Sequence, residues 1–460
     1  MTLQEYIDSI REKSICVIGI GVSNIPLIEM LLAQGCRVTA CDKHTPEEMG
    51  PVAENLLAKG AELKLGPDYL EDLHFDVIFR TPGLMPFDEH LERAKAEGAV
   101  ITSEMEVFFR VCPCRVIAVT GSDGKTTTTT IISELLKEAG YTVHLGGNIG
   151  HPLLCEVPDM HREDIAVLEL SSFQLHSMAC KPAVSVITNI SPNHLDKHKD
   201  FEDYVDAKKS IYKLQDASDS LVLNREDPHT AEFEAEAHAA KRYFSLEQPV
   251  ENGVFLAGGS LYRAVEGNHT GIMKADSIRI PGIHNVSNYM AAFAATQGLV
   301  SDEVCRRVAE TFPGVEHRLE TVRVLRGVTY INDSIGTSPT RTIAGLHAMK
   351  KKPIILVGGY DKHIPFDALG EALCTFTKAV IATGATADKI LEAMRSADAF
   401  PSCHVPIRKI DDFDSAVSAA AEMAGEGDIV LLSPACAAFD AFANFAERGR
   451  HFKKLVMELQ

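Results

Sequence analysis

Nowhere in the 460 residues is there an apolar run long enough to span a bilayer, a low-complexity tract or an obvious short-period repeat. Those absences argue against a helical membrane protein, a disordered chain and a repeat array. Basic residues are scarce: 45 Lys and Arg stand against 64 Asp and Glu, a formal charge of −19. A chain of that sign repels nucleic-acid phosphates and anionic membrane surfaces, so neither is an expected partner. The one basic run, Lys350-Lys351-Lys352, reads as a solvated turn ahead of a strand. Eleven cysteines, an odd number, show no paired metal spacing, and the single proline between Cys112 and Cys114 gives neither the zinc nor the redox pattern. Buried or inert thiols are expected. The opening MTLQEYIDSIREKS contains acidic residues and no apolar segment, which predicts no signal peptide and a cytoplasmic location. No long heptad seam is visible, so the expected state is a monomer.

What is present points to several compact α/β units, because the chain is too long for one ordinary domain. The stretch TGSDGKTTT, Thr120 to Thr128, resembles a phosphate-binding loop with its leading glycine too close, since Gly121 lies only two residues ahead of Gly124-Lys125-Thr126. Its surroundings are those the loop requires. CRVIAV before it is a β-branched apolar run, and Ile131, Ile132, Leu135 and Leu136 after it recur at helical intervals before Gly140. In a strand, glycine turn and helix, backbone N–H groups face an anion, Lys125 reaches the outer phosphates and the Thr126 hydroxyl can ligand Mg²⁺.

The predicted architecture is α/β with three domains: a Rossmann-like domain over residues 1–110, a central P-loop domain with a parallel sheet over 111–313, and a second Rossmann-like domain over 314–460. The first contains an apolar strand running into Gly19-Ile20-Gly21, a helix, and a second strand ending at Asp42, with Asn24 where a dinucleotide fingerprint has its third glycine. In the second, VHLGGNIGHP, IAVLELSSFQL and VSVITNISPNHLDKH each read as a strand ending in a polar or glycine-rich loop. Such carboxyl ends share one edge of a parallel sheet, where ligands bind. The third repeats the alternation through VTYINDS, PIILVGGYD, AVIATGA and DIVLLSPA.

TGSDGKTT, GGNIGHP, ELSSFQL, NISPNHLDKH, YVDAKKSIY, GIHNVSN, FPGVEHRLE, YINDS and LLSPACAAFD, in this order, make the chain closely similar to the Mur ligase family. The resemblance implies an ATP-dependent ligase that joins D-glutamate to UDP-N-acetylmuramoyl-L-alanine through an acyl phosphate, with UDP-binding, ATP-binding and amino-acid-binding domains. It implies ATP contacts from Gly121, Ser122, Asp123, Gly124, Lys125, Thr126, Thr127, Asn285 and Asn288, with Arg318 and Asp333 of the third domain closing over phosphates and ribose. Two Mg²⁺ ions would be held through Thr126, Glu169, His194 and a carbamylated Lys208, and Lys125, Glu169, His194 and Lys208 form the implied catalytic set. Between the adjacent lysines, the register DAK favours Lys208 over Lys209. For the UDP-sugar the matching positions are Gly21, Ser23, Asp42, Lys43, Gly83 and Asn148, with Ser171 and Gln174 facing the sugar-peptide. Thr337, Lys362 and Phe445 match the amino-acid site. There the chain departs from the family pattern, with Ile335 in place of a lysine, Ser338 in place of an asparagine and Ala438 in place of a serine; Arg341 is a cation able to substitute.

Three other readings remain open from the residues. A nicotinamide-dependent oxidoreductase would use the GxG turn and Asp42 but leave Lys125, Glu169 and His194 without a task. A non-catalytic ATP- or UDP-sugar-binding protein need not keep Glu169, His194 and Lys208 together. A related ligase adding a different amino acid is the nearest rival.

Overall fold

Residues Ile15 to Ile18 of the first strand are all buried, as expected of a parallel strand covered on both faces. A computed structural model describes every residue except 22, 150–151, 193–196, 350 and 362–363. The chain forms two compact units, Met1–Phe312 and Pro313–Gln460.

The first unit holds two sheets. In the first, β1 (Ser14–Ile18), β2 (Arg37–Asp42), β3 (Glu62–Leu65), β4 (Val77–Phe79) and β5 (Val100–Thr102) take the order β3-β2-β1-β4-β5. All its pairings are parallel. The order reverses between β1 and β4, which opens a crevice at their carboxyl ends. The second sheet comprises β6 (Arg115–Thr120), β7 (Val143–Gly147), β8 (Ile165–Glu169), β9 (Val184–Ile187), β10 (Ser220–Asn224), β11 (Ala240–Ser245), β12 (Gly253–Ala257), β13 (Ser260–Val265) and β14 (Asn268–Lys274). Its order is β14-β13-β12-β11-β10-β9-β6-β8-β7, parallel from β7 to β12 and antiparallel at the β12–β13–β14 edge. One apolar core, from Leu3 through Phe79 and Phe108 to Leu168 and Ala239, runs through both sheets. That shared core is why they form one unit.

In the second unit, β15 (Glu320–Leu325), β16 (Val328–Asn332), β17 (Ile354–Val357), β18 (Ala379–Ala382), β19 (Ile407–Lys409) and β20 (Ile429–Leu432) take the order β15-β16-β20-β17-β18-β19. Only the β15–β16 edge is antiparallel. The period of two divides β17 between two cores: Ile355 and Val357 join Leu369 and Met394 on one face, while Ile354 and Leu356 join Phe452 and Val456 on the other. Lys351 and Lys352 are exposed ahead of β17, and residue 350 lies outside the described residues. All eleven cysteines are free thiols. Among the described residues no helix is long and apolar enough to cross a membrane.

Gly358, directly after β17, has φ +114°, and a Cβ there would lie 1.9 Å from the Thr383 carbonyl oxygen. Both the dihedral and the contact exclude a side chain. Gly358→Ala is therefore expected to destabilise the unit by more than about 1 kcal/mol, read as a lower urea midpoint at unchanged m.

Candidate active site

At the β1/β4 switch point lies a cavity of about 470 Å³ lined by Gly21, Ser23, Asp42, Lys43, Tyr69 and Gly83, among others. Five positions singled out in the sequence thus meet on one crevice. Gly19 has φ +90°, and a Cβ there would press to 2.8 Å from the Thr81 Cβ, so the turn requires glycine. Asn24, which replaces the third glycine, is buried and donates through Nδ2 to the carbonyls of Ile18 (3.1 Å) and Gly19 (2.9 Å). The Asp42 carboxylate accepts from the N–H groups of Ile20 (2.7 Å) and His44 (3.0 Å) and lies 2.6 Å from His44 Nδ1. Burial would raise its pKa, but the His44 and Ile20 bonds outweigh that and hold it below the usual range. The Asp42 matched to the UDP-sugar is therefore also the brace of its own loop.

The phosphate loop of the second sheet lies between β6 and the helix Lys125–Glu138. Its two glycines explain the short spacing. Gly121 has φ +144° and approaches so closely that a Cβ would fall 1.9 Å from Thr188 Oγ1; Gly124, left-handed at the helix N-cap, would put a Cβ 2.4 Å from Asn288 Oδ1. The loop after β9 pins it from one side: Ser122 N–H donates to the Asn189 carbonyl (2.9 Å), Asp123 N–H to Asn189 Oδ1 (3.0 Å), and Thr188 Oγ1 to the Asp123 carbonyl (2.6 Å). Asn288 backs the other side, taking a hydrogen bond from Thr128 Oγ1 (3.3 Å) and donating to Asn285 Oδ1 (3.3 Å). Asn285 Nδ2 in turn donates to the Pro281 carbonyl (2.7 Å). Asp123 is exposed, Thr126 half-buried and Thr127 buried.

Two ammonium groups meet inside this loop. Lys125 Nζ donates to the carbonyls of Gly121 and Ser122, both at 2.9 Å, and Lys208 Nζ donates to the same Gly121 oxygen at 2.8 Å. Lys208 is 1% exposed and its ammonium sits 4.6 Å over the Tyr204 ring. Burial, then the Lys125 charge, lowers its pKa well below the ordinary lysine value, with Glu169 and Asp123 opposing. Lys209 differs in kind. It pairs with Glu232, Glu236 (3.0 Å) and Asp206 (3.2 Å), and these carboxylates outweigh burial and raise its pKa. The structure thus separates two lysines that are neighbours in sequence.

Glu169 ends β8 beside this pair. Its Oε1 accepts from Asn148 Nδ2 (2.7 Å), whereas the buried Oε2 has no hydrogen-bond partner among the described residues. A buried carboxylate oxygen left unpaired is unfavourable, and a hard divalent cation would satisfy it. With the Thr126 hydroxyl at the helix start, the oxygen donors suit Mg²⁺. Gly147 lets this edge close, since a Cβ there would stand 2.2 Å from the Glu169 carbonyl oxygen. Asn148 is thus placed against Glu169 and is not among the residues lining the first-sheet cavity. Ser171 and Gln174 form a capping box on the short helix Ser172–Leu175, each bonding the other's N–H. Gln174 also lines a smaller cavity with Ser23, Arg80 and Glu104. His194 lies outside the described residues.

In the second unit Arg318 sits between two left-handed residues, His317 (φ +65°) and Leu319 (φ +43°), an unusual turn for non-glycine residues. Asp333 is buried, and its carboxylate accepts from Ser433 Oγ (2.7 Å) and Leu319 N–H (3.2 Å). Burial raises its pKa to about 6. It therefore holds the Arg318 turn. Sequence reading missed Arg448, which is 2% exposed and donates to the Ser334, Cys436 and Ala437 carbonyls, drawing together the loops after β16 and β20. Ser334 Oγ also donates to the Phe445 carbonyl (2.7 Å), which places Phe445 at the same edge. Thr337 and Ile335 are half-buried there, Ala438 is buried, and Arg341 is exposed on the helix Pro339–Ala348. Lys362 lies outside the described residues.

Residues 119–296 match the Mur ligase middle domain, and residues 317–436 match the Mur ligase glutamate ligase domain. The UDP-N-acetylmuramoylalanine--D-glutamate ligase of Clostridium botulinum is 48% identical over 457 residues, 99% of each chain. Its counterpart in Acetivibrio thermocellus is 47% identical over 461 residues, 100% of this chain and 99% of that one. Among solved structures, the UDP-N-acetylmuramate-alanine ligase of Thermotoga maritima aligns at a TM-score of 0.59 with 17% identity, covering 97% of this chain and 99% of that one, and shares the fold. Full-length identity at this level joins the phosphate loop, its paired lysines and the three successive α/β sheets to one conclusion: the chain belongs to the Mur ligase family.

Proposed function

We propose that the protein is an ATP-dependent ligase that joins D-glutamate to UDP-N-acetylmuramoyl-L-alanine, releasing ADP and phosphate, in the cytoplasmic synthesis of peptidoglycan precursors, and that it works as a monomer. The observation that carries the reading is the meeting of Lys125, Lys208 and Glu169 at one sheet edge beside a glycine loop that opens a helix. Relatives bearing that activity's name at 47–48% identity over the whole chain support the choice of substrates.

The chemistry follows from charge. A substrate carboxylate and a triphosphate repel each other, so the site must neutralise the transferring phosphoryl group and hold the reacting atoms in line. Lys125, freed from its own loop carbonyls, is the cation for the β and γ phosphates, and the backbone N–H groups at the start of the helix Lys125–Glu138 face them, those of Ser122 and Asp123 being held by Asn189. The L-alanyl carboxylate attacks the γ phosphorus; the new P–O bond forms as the bond to the β-phosphate oxygen breaks, giving ADP and an acyl phosphate. The amine of D-glutamate then attacks the acyl carbon, the tetrahedral species expels phosphate, and the amine loses a proton to leave the amide. Bound Mg²⁺ would neutralise phosphate charge, with Thr126, Glu169 and His194 as its protein ligands, two ions in all. The crevice with Gly21, Ser23, Asp42, Lys43 and Gly83 is assigned to the uridine diphosphate, and Ser171 and Gln174 to the sugar-peptide. Asn148 is assigned to that substrate through its place beside Glu169, and Asn285 and Asn288 to the adenosine side.

Lys208 is assigned as a carbamate. The ammonium first loses a proton to give the neutral amine, favoured by burial and by Lys125; the amine attacks the carbon of CO₂, an N–C bond forms as one C=O electron pair moves onto oxygen, a second proton leaves the nitrogen, and a cation has become an anion beside Glu169. The second unit offers Arg318 and Asp333 for the nucleotide, and Thr337, Lys362 and Phe445 for the amino acid. Arg341 supplies the positive charge that Ile335 lacks, since a dicarboxylic amino acid needs paired cations.

Purified protein with Mg-ATP and UDP-N-acetylmuramoyl-L-alanine is expected to release phosphate with D-glutamate but not with L-glutamate, L-lysine or meso-diaminopimelate, and mass spectrometry should find the dipeptide product. Turnover with one of the other amino acids in place of D-glutamate would overturn the specificity. Lys125→Ala should lower kcat by at least about a hundredfold. Lys208→Ala should be inactive until a short carboxylic acid such as acetate is added; full activity without it removes the carbamate from the mechanism.

A further inference from the structure

Four aromatic and imidazole rings and one carboxylate, His198 and Tyr204 buried and Phe173, His176 and Asp203 half-buried, form a cluster between the Ser171–Gln174 turn and the phosphate loop. His198 has a fully buried side chain. Its Nδ1 lies 2.9 Å from Asp203 Oδ2, and its Nε2 lies 2.9 Å from Ser172 Oγ. Asp203 also lies 2.9 Å, through Oδ1, from His176 Nε2. A carboxylate only accepts, so His198 donates from Nδ1 and is left, when neutral, to accept the Ser172 hydroxyl at Nε2. Burial would raise the Asp203 pKa, but the bonds from His198 and His176 outweigh it and keep the carboxyl below its usual range.

The same imidazole is packed on two sides. It stacks on Phe173 (centroids 5.4 Å, 12° between planes) and meets Tyr204 edge-on (5.3 Å, 83°). Tyr204 is 1% exposed; its hydroxyl lies 2.8 Å from Ser122 Oγ in the phosphate loop, and its ring lies under the Lys208 ammonium. The path from Ser172 to the loop therefore passes through His198 and Tyr204 by direct contacts, and Asp203 sets the ring that lies in its middle. Arg80 secures the outer side, donating to the Phe173 carbonyl (3.1 Å) and Ser177 Oγ (2.6 Å).

We propose that the Asp203–His198 pair positions the sugar-peptide side of the site against the phosphate side, fixing the Ser171–Gln174 turn relative to Lys208 and the phosphate loop. Neither residue touches the reacting atoms; both act through Ser172 and Tyr204. The proposal rests on the assignment of Ser171 and Gln174 to the sugar-peptide. All polar atoms of the pair are satisfied within the cluster, so it requires no metal ion to explain it.

The test uses the full chain. His198→Phe keeps the stack on Phe173 and the edge on Tyr204 but removes both hydrogen bonds; Ser172→Ala removes only the hydroxyl and spares the rings. Both variants are expected to raise KM for the sugar nucleotide about tenfold and to lower kcat about tenfold to a hundredfold, with KM for ATP changed by less than about twofold. Combined with Tyr204→Phe, His198→Phe should lose less than the product of the two single losses, as residues acting through one path do. A purely structural role predicts a lower Tm with both KM values unchanged, and that result in Ser172→Ala would overturn the proposal. So would a divalent metal retained stoichiometrically through desalting and lost in Asp203→Asn, which would make the cluster a metal centre. Inactive wild-type protein sinks the assigned reaction, whereas active wild-type protein with unmoved KM in the variants sinks only the positioning role.

Discussion

Two ammonium groups donate to one carbonyl oxygen, that of Gly121, and the second sheet is arranged around that crowding. Like charges this close in a buried place disfavour each other, so one lysine must be held there and the other made easy to deprotonate. The sheet does the first with the helix Lys125–Glu138, whose opening residue is the lysine itself, and the second by burying Lys208 at 1% exposure. Neighbouring Glu169 and Asp123 temper the repulsion without cancelling it. The close packing of Gly121 on Thr188 and of Gly124 on Asn288 then leaves the loop little room to spread the charges apart.

The strand, glycine turn and helix around Lys125 were legible in the sequence because each is a local signal: β-branched run, glycines, helical period. So were the GxG turn and the alternating elements of the last third. The β12–β14 antiparallel edge carried no motif and was not anticipated. The residues that hold the site together were less visible still. Thr188 and Asn189 stand within a quoted motif, yet their job of pinning the loop exists only once β9 lies beside β6. Arg448, Arg80 and His198 contact partners far away in the chain, and a single arginine on a helix carries no mark of burial. Asn148 shows the converse: a quoted motif contains it, but its side chain bonds Glu169 of the second sheet and does not line the first-sheet crevice.

The contrast between Lys208 and Lys209 makes the same point in two residues. Composition treats them alike. One turns to the loop and Tyr204, the other, also buried, turns away from them to three carboxylates, and a helix rotates successive side chains by about 100°, so only packing decides which faces the site. The identical logic governs Asp333, which a sequence places at the end of a strand and the fold sinks beneath the Arg318 turn.

That turn bears on how the chain would respond to laboratory evolution. Leu319 holds a backbone conformation that glycine adopts without strain, so selection for heat resistance alone is free to replace it and relax the turn. The gain would be bought with a wider range of directions for Arg318, and a screen that counts only folded protein would not notice the loss.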